Sequence, residues 1–379
     1  MKILFIADMY SWHTSLWLKY FSKNHKVYLL SDERTYAKSQ EYSNVNIIKH
    51  PGYLGKFINF FSLSSNFLRH LNKFLSTYIY VRIANKIIKD EKIDIIHAHS
   101  LYYGYIASKI KNNQIKILFS PLGSDVMVDA FKKKFYKHMV NKVFSRVNII
   151  TSDSKVKLDA CHKLGAKNIE NYLIQYGVDS NYFKYKPKRE IESFNINKKN
   201  FILFSPRGLS PEYNIDSILK SLSLLKKNGL KFKCIFAFNY GDKILNKYID
   251  IATNLNIADS LIWLGYVKYE NMQDLYNLSD AVISFPLIDS SPKCVYEALF
   301  CKANVIVSDL HWSYDFLKNE IIRVESNNHL KLYEKLKEIY NHRDLKKIDI
   351  EKNYSRILDH YDYERNMKKI EKIMKDKIK

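Results

Sequence analysis

The chain has 379 residues, 46% of them hydrophobic, enough apolar material for the cores of two domains of ordinary size. No stretch reaches the roughly eighteen uninterrupted apolar residues of a membrane span, and the opening MKILFIADMYSWHTSL has no small-residue cleavage site, so neither export nor membrane insertion is expected. Lys and Arg number 61 against 39 acids, a net charge of +22; this favours polyanionic surroundings such as phosphate-bearing lipid, an anionic membrane surface or nucleic acid, unless the Lys-rich, Gly-poor bias of an AT-rich genome accounts for it.

Short apolar runs at 2–9 (KILFIADM) and 26–31 (KVYLLS) are separated by a helical pattern at 16–22, and 94–99 (DIIHAH) and 115–120 (IKILFS) continue the alternation. Strand, helix and strand at this spacing predict parallel βαβ units. After runs at 147–151 (VNIIT) and 172–176 (YLIQY), a polar, lysine-rich piece marks a linker over 185–200. The pattern restarts at 201–205 (FILFS), 232–238 (FKCIFAF), 261–264 (LIWL), 281–287 (AVISFPL) and 304–307 (NVIV). The predicted fold class is therefore α/β, with two doubly wound Rossmann-like domains, 1–184 and 201–355, facing each other across a hinge. A charged helix over 356–379 follows, with Met367, Ile370 and Met374 as its packing face. The four cysteines have neither disulfide-scaffold density nor CxxC metal spacing, which suits a reducing, cytoplasmic setting.

Open sheets of this kind bind ligands beyond the carboxyl ends of their strands. The densest signal of that sort is 281–309, where AVISFPLI leads into Asp289 and two serines, and PKCVYEALFCKANVIVSD follows. Here a strand is expected to end in Asp289, and Ser290, Ser291 and Pro292 open a helix that carries Lys293 and Glu297. Backbone N–H groups of Ser291, Lys293 and Cys294 at that helix start suit a diphosphate. Flanking carboxylates suit sugar hydroxyls, as in folds that hold a ribose. The plainer alternative makes the serines an N-cap, Pro292 a helix-start proline and Glu297 a solvated helix residue.

The run 289–309, in which an acid and seven residues precede Glu297 and a small-residue turn and strand follow, resembles the signature of family 4 glycosyltransferases. DMYSWHTSLW, DIIHAHSLYYG, SPLGSDVMV, YGVDSNYF and SPRGLSPEYNID resemble further motifs of that family. The resemblance runs from residue 1 to about 312. It implies the GT-B architecture, a C-terminal helix returning to the first domain, and transfer of a hexosyl or N-acetylhexosaminyl unit with retention of configuration. A nucleotide-diphosphate sugar is the implied donor, a UDP-sugar first and a GDP-sugar second. The acceptor is a glycan or lipid-linked glycan of bacterial-type surface polysaccharide or glycoconjugate synthesis, and no cofactor is implied. Carried over by position, Glu297 binds the nucleotide ribose, Asp289 the donor sugar and Arg207 the diphosphate. Base contacts fall around Gly265 and Tyr266. Asp289 stands where most of the family has glutamate, Tyr213 where a lysine is usual, and Leu122 where many members have a histidine.

In the first half, Gly123 and Asp125 remain after a predicted strand and are expected to line the cleft, with a helix cap as the alternative for Asp125. His13 and Thr14 follow the first strand, where His13 meets phosphate or acceptor or is incidental. His97 and His99 share one strand face and read as structural. No Asp-x-Asp occurs in the chain, so no metal-holding carboxylate pair is expected. The segment 55–73 interleaves Phe57, Phe60, Phe61 and Phe67 with Lys56, Arg69 and Lys73. It is either an interfacial helix for a peripheral, anionic membrane surface or an ordinary amphipathic helix. Two other functions compete: a GT-B-like nucleotide-sugar epimerase, and a basic nucleic-acid-binding protein, for which no RNP, zinc-finger or helix-turn-helix signature is found.

Overall fold

A computed structural model describes residues 1–31, 44–49, 66–188, 200–238, 242–310 and 316–378. The chain divides into two compact units, residues 1–176 with 367–379 and residues 177–366. Each is built on a fully parallel sheet. The first sheet has seven strands: β1 (Lys2–Ile6), β2 (Lys26–Ser31), β3 (Val45–Lys49), β4 (Ile95–His99), β5 (Lys116–Ser120), β6 (Ile149–Ser152) and β7 (Glu170–Leu173). Their spatial order is β3-β2-β1-β4-β5-β6-β7. The second has six: β8 (Phe201–Ser205), β9 (Phe232–Ala237), β10 (Leu261–Gly265), β11 (Ala281–Ser284), β12 (Asn304–Ser308) and β13 (Ile322–Val324), in the order β10-β9-β8-β11-β12-β13.

Helices cover both faces of such sheets, so the central strands are apolar without alternation. Leu4, Phe5 and Ile6 of β1, and Ile202, Leu203 and Phe204 of β8, are fully buried. In both sheets the order reverses direction once, between β1 and β4 and between β8 and β11. At such a switch point the loops leaving neighbouring strands part and open a crevice for ligands. The relevant loops begin after Ile6 and His99 in the first unit and after Ser205 and Ser284 in the second.

The run expected to end in Asp289 stops as a strand at Ser284. Pro286 explains the difference, because it lacks the N–H that a central strand must donate. Residues 285–292 are therefore a loop, longer than the sequence pattern suggests. Edge strands β3 and β13 are additions; β13 is only three residues long and carries no readable period.

The charged C-terminal helix spans Tyr363–Ile378, with Met367, Ile370 and Met374 fully buried. Its Glu371 accepts hydrogen bonds from Tyr20, at 2.8 Å, and from His25, at 2.9 Å. Burial raises the Glu371 pKa, but hydrogen bonds from Lys375, Tyr20 and His25 outweigh that and bring it to about 2. The chain changes unit at 176–177, where Gly177 takes φ +81° and a Cβ would lie 2.6 Å from the Tyr363 backbone; only glycine fits so close an approach. Residues 185–188 of the expected linker are held in the second unit: the Lys186 N–H donates to Asn277, and Lys188 pairs with Asp280 at 2.8 Å. The rest, 189–199, lies outside the described residues, as do the side chains of the 55–73 segment. Among the described residues no helix is long and apolar enough to cross a membrane.

Candidate active site

The second unit's switch point brings together residues that are far apart in sequence. Arg207 lies two residues beyond the end of β8. Its Nη2 pairs with Asp289 Oδ2 at 2.7 Å, Nη1 donates to Cys294 Sγ at 3.7 Å, and its guanidinium carbon stands 4.5 Å over the Tyr213 ring. Tyr213 thus offers the arginine an aromatic face. Burial pushes the Cys294 thiol pKa up, so a neutral sulfur faces the guanidinium. The 285–292 loop is tied down by Leu287 N–H donating to the Glu212 carbonyl at 2.7 Å and Ser308 Oγ donating to the Pro286 carbonyl at 2.6 Å. Its far end is shaped by Asp289 itself, whose Oδ1 accepts from the Ser290 N–H at 2.7 Å.

Pro292, not a serine, is the N-cap of the helix Lys293–Phe300. The N–H groups of Lys293 and Cys294 precede the first intrahelical acceptor and face outward from the helix start. Ser291 lies outside the helix, with its hydroxyl 3.3 Å from that of Tyr296. One turn on, Glu297 is 4% exposed. Its Oε2 accepts from Tyr276 at 2.7 Å, while Oε1 is 3.5 Å from Lys293 Nζ. Lys293 in turn donates to Tyr269 Oη at 2.8 Å and lies 4.3 Å over that ring. Burial first, and the Glu297 carboxylate second, hold both tyrosine hydroxyls well above their ordinary pKa. They remain donors, and Glu297 has a fixed orientation. Sequence reasoning missed these two tyrosines, since nothing in their spacing marks them as partners of Lys293 and Glu297.

Gly265 closes β10 at φ +67° and its carbonyl accepts from the Phe238 N–H at 2.9 Å. Tyr266 follows it and is exposed. Both lie at the carboxyl edge of the same sheet, two strands out from β8, and neither touches Arg207 or Glu297.

The first unit treats its candidates differently. Asp125 opens a π-helical segment, Asp125–Asp129. Its carboxylate accepts three backbone N–H groups: Leu101 at 2.7 Å, Gly123 at 2.9 Å and Val126 at 3.0 Å. That fastens the loop after β5 to the helix after β4, which begins at Ser100 in the left-handed region with φ +66°. Lys157, absent from the sequence reading, is 1% exposed, pairs with Asp153 and reaches the Leu122 carbonyl at 3.5 Å. His13 and Thr14 sit in the first turn of the helix Trp12–Phe21, not in an open loop. The His13 ring packs on Trp12 at 3.7 Å and edge-on to Tyr176 at 5.4 Å.

His97 and His99 are buried beside Trp17, with ring centroids 4.3 Å apart. His97 Nε2 bonds Ser120 at 2.9 Å, which bonds Thr151 at 2.6 Å, and His99 Nδ1 meets Thr14 at 3.3 Å. Burial lowers the His99 pKa to about 3; burial and, secondarily, His99 lower that of His97. Both are neutral structural groups.

Two parallel, doubly wound units of this kind define the GT-B fold. Solved structures share it over the whole chain. The Anabaena protein Alr3699/HepE in complex with UDP is 12% identical, covers 99% of this chain and 100% of its own, and has a TM-score of 0.78; it is also solved with UDP-glucose. A glycosyltransferase from Rickettsia africae ESF-5 is 18% identical over 100% and 98% of the two chains, with a TM-score of 0.74. The lipopolysaccharide outer core galactosyltransferase WaaB is 14% identical over 100% of both, with a TM-score of 0.71. No curated protein sequence matches the chain. Residues 2–154 match the family model described as glycosyl transferase 4-like, and residues 187–356 that of glycosyl transferases group 1. With the two matches side by side along nearly its whole length, the chain is a glycosyltransferase of GT-B type.

Proposed function

We propose that this glycosyltransferase takes a sugar from a UDP-sugar and passes it to a hydroxyl of a glycan or lipid-linked glycan, with retention of configuration. The observation that carries the reading is the convergence of Arg207, Asp289, Lys293 and Glu297 at the switch point of the second sheet. Each cation there already has a carboxylate partner. A diphosphate entering the site would exchange Asp289 for phosphate oxygens at Arg207, and the N–H groups of Lys293 and Cys294 add donors without extra charge. Asp289, released, would accept hydroxyls of the donor sugar. Glu297, steadied by Tyr276, offers Oε1 to the ribose.

In the transfer itself the bond from the anomeric carbon to the leaving phosphate oxygen breaks and UDP departs. Arg207 and the helix N–H groups take up the charge that develops on that oxygen. The acceptor hydroxyl oxygen bonds to the same face of the anomeric carbon, and its proton passes to the leaving phosphate oxygen. A surface polysaccharide or glycoconjugate acceptor at an anionic membrane face fits the net charge of +22.

Thermal shift against UDP, GDP, CMP, dTDP and their sugars tests the donor class. A ligand at a hundred times its Kd stabilises by about 2.7 kcal/mol, so UDP and UDP-sugars should raise Tm while the others do not. Product analysis then separates transfer from epimerisation: a sugar that changes configuration and stays on its nucleotide would overturn the reading.

A further inference from the structure

One surface of the first unit carries exposed aromatic rings and cations that the proposed transfer chemistry does not use. Phe131 and Phe135 are 52% and 43% exposed, and among the described residues they are the exposed phenylalanines. The turn of helix Ala130–Lys132 ends at Lys133, which is extended at φ −117° and ψ 118°, and the helix Lys134–Phe144 starts immediately after it. Phe135 lies on the same stripe as Met139 and Val143. The core covers those two completely or nearly so and leaves the ring one turn earlier partly exposed. Around the rings Lys132, Lys133, Lys134 and Lys137 are all exposed. The nearby acid, Asp129, is taken by Lys133 at 2.6 Å, and among the described residues Lys132, Lys134 and Lys137 have no carboxylate partner. It follows β5 through the Asp125–Asp129 segment, which puts it on the carboxyl-end side of the first sheet.

We propose that the corner 131–138 is a docking surface for an anionic lipid bilayer, with Phe131 and Phe135 inserted among the headgroups and Lys132, Lys134 and Lys137 against lipid phosphates. Such a surface needs both signals, since cations alone are screened by salt and two rings alone hold weakly. A single-stranded nucleic acid would instead be held in a basic groove with rings along its floor; here the rings stand at the start of a helix. The inference rests on the proposed lipid-linked acceptor only for the identity of the partner. It is independent of the donor site in the second unit.

The test uses the full chain with vesicles of phosphatidylcholine alone and with phosphatidylglycerol, with UDP binding measured on the same samples. The wild type should bind the anionic vesicles, lose part of that binding with salt and keep a remainder. Phe131→Ser with Phe135→Ser should lower the salt-resistant remainder by about tenfold or more. Lys132→Gln, Lys134→Gln and Lys137→Gln together should remove the salt-sensitive part, and neither variant should change UDP binding. Phe131→Trp should shift its emission to the blue on anionic vesicles, a readout that requires insertion and does not depend on the serine variant folding. Absent vesicle binding with UDP binding intact overturns the docking surface and leaves the transfer reading standing. Binding of vesicles and single-stranded RNA lost equally in the lysine variant, with no effect of the serines and no emission shift, makes the corner a general polyanion patch and overturns it as well.

Discussion

The two units carry the same kind of sheet and the same switch point, yet they furnish it oppositely. In the second unit the crevice loops hold charges in pairs, Arg207 with Asp289 and Lys293 with Glu297, which an anionic ligand can rearrange. In the first unit the corresponding groups are tied into the fold: His97, Ser120 and Thr151 form one buried chain, the Asp125 carboxylate accepts three backbone N–H groups, and Lys157 is paired with Asp153. Exchangeable ion pairs suit a diphosphate. Groups bonded to the backbone and to one another suit a scaffold that holds its loops in place.

The sharpest way to separate the units is acid. His97 and His99 stay neutral in the folded protein because their pKa values are depressed by burial, with that of His99 near 3. The unfolded chain takes up those protons near pH 6.5. Stability is therefore full above about pH 6.5 and falls as the pH drops from there toward the folded values, by about 1.4 kcal/mol per pH unit for each histidine. Denaturant unfolding should show the first unit losing about 3 kcal/mol between pH 6.5 and 5, and His99→Gln should roughly halve that loss. A first unit equally stable at both pH values would remove the contrast.

Next in size is Asp125→Ala, which strands three N–H groups and should cost the first unit about 3 kcal/mol in a urea titration. Asp125→Asn keeps an acceptor oxygen and should cost much less. Unchanged stability with lost turnover would move Asp125 from a positioning to a chemical role. Arg207→Ala should leave the fold intact and lower turnover at least about tenfold, or about 1.4 kcal/mol of transition-state stabilisation. The smallest effect expected is that of Asp289→Asn. Freed of its counterion, Arg207 should bind UDP a few-fold more tightly by calorimetry, while turnover with the UDP-sugar falls. Weaker UDP binding would mean that the pair is a fixed structural bridge.

Much of the fold was legible because parallel strands are buried on both faces and read as apolar runs, as KVYLLS does for β2. The short edge strands were not, since three residues such as those of β13 have no period. Pro286 could have corrected the end of β11, because a proline in a central strand argues against the strand. Within the site, Lys293 and Glu297 were legible as neighbours one helical turn apart. The Arg207–Asp289 pair was not, because β8 and β11 become neighbours only through the crossover of the sheet. Lys157 shows the reverse difficulty: a lysine at a helix start reads as solvated, and only the tertiary structure reveals that it is buried against Asp153.

The central claim is the proposal that the second unit's crevice, and not the first unit's, holds the donor nucleotide. It is tested most directly by titrating UDP into the wild type, Glu297→Gln and Asp125→Asn by calorimetry. The account predicts binding to the wild type, a loss of about tenfold in Glu297→Gln, corresponding to about 1.4 kcal/mol, and no change in Asp125→Asn. Equal affinity in the wild type and Glu297→Gln, or a loss confined to Asp125→Asn, would contradict it.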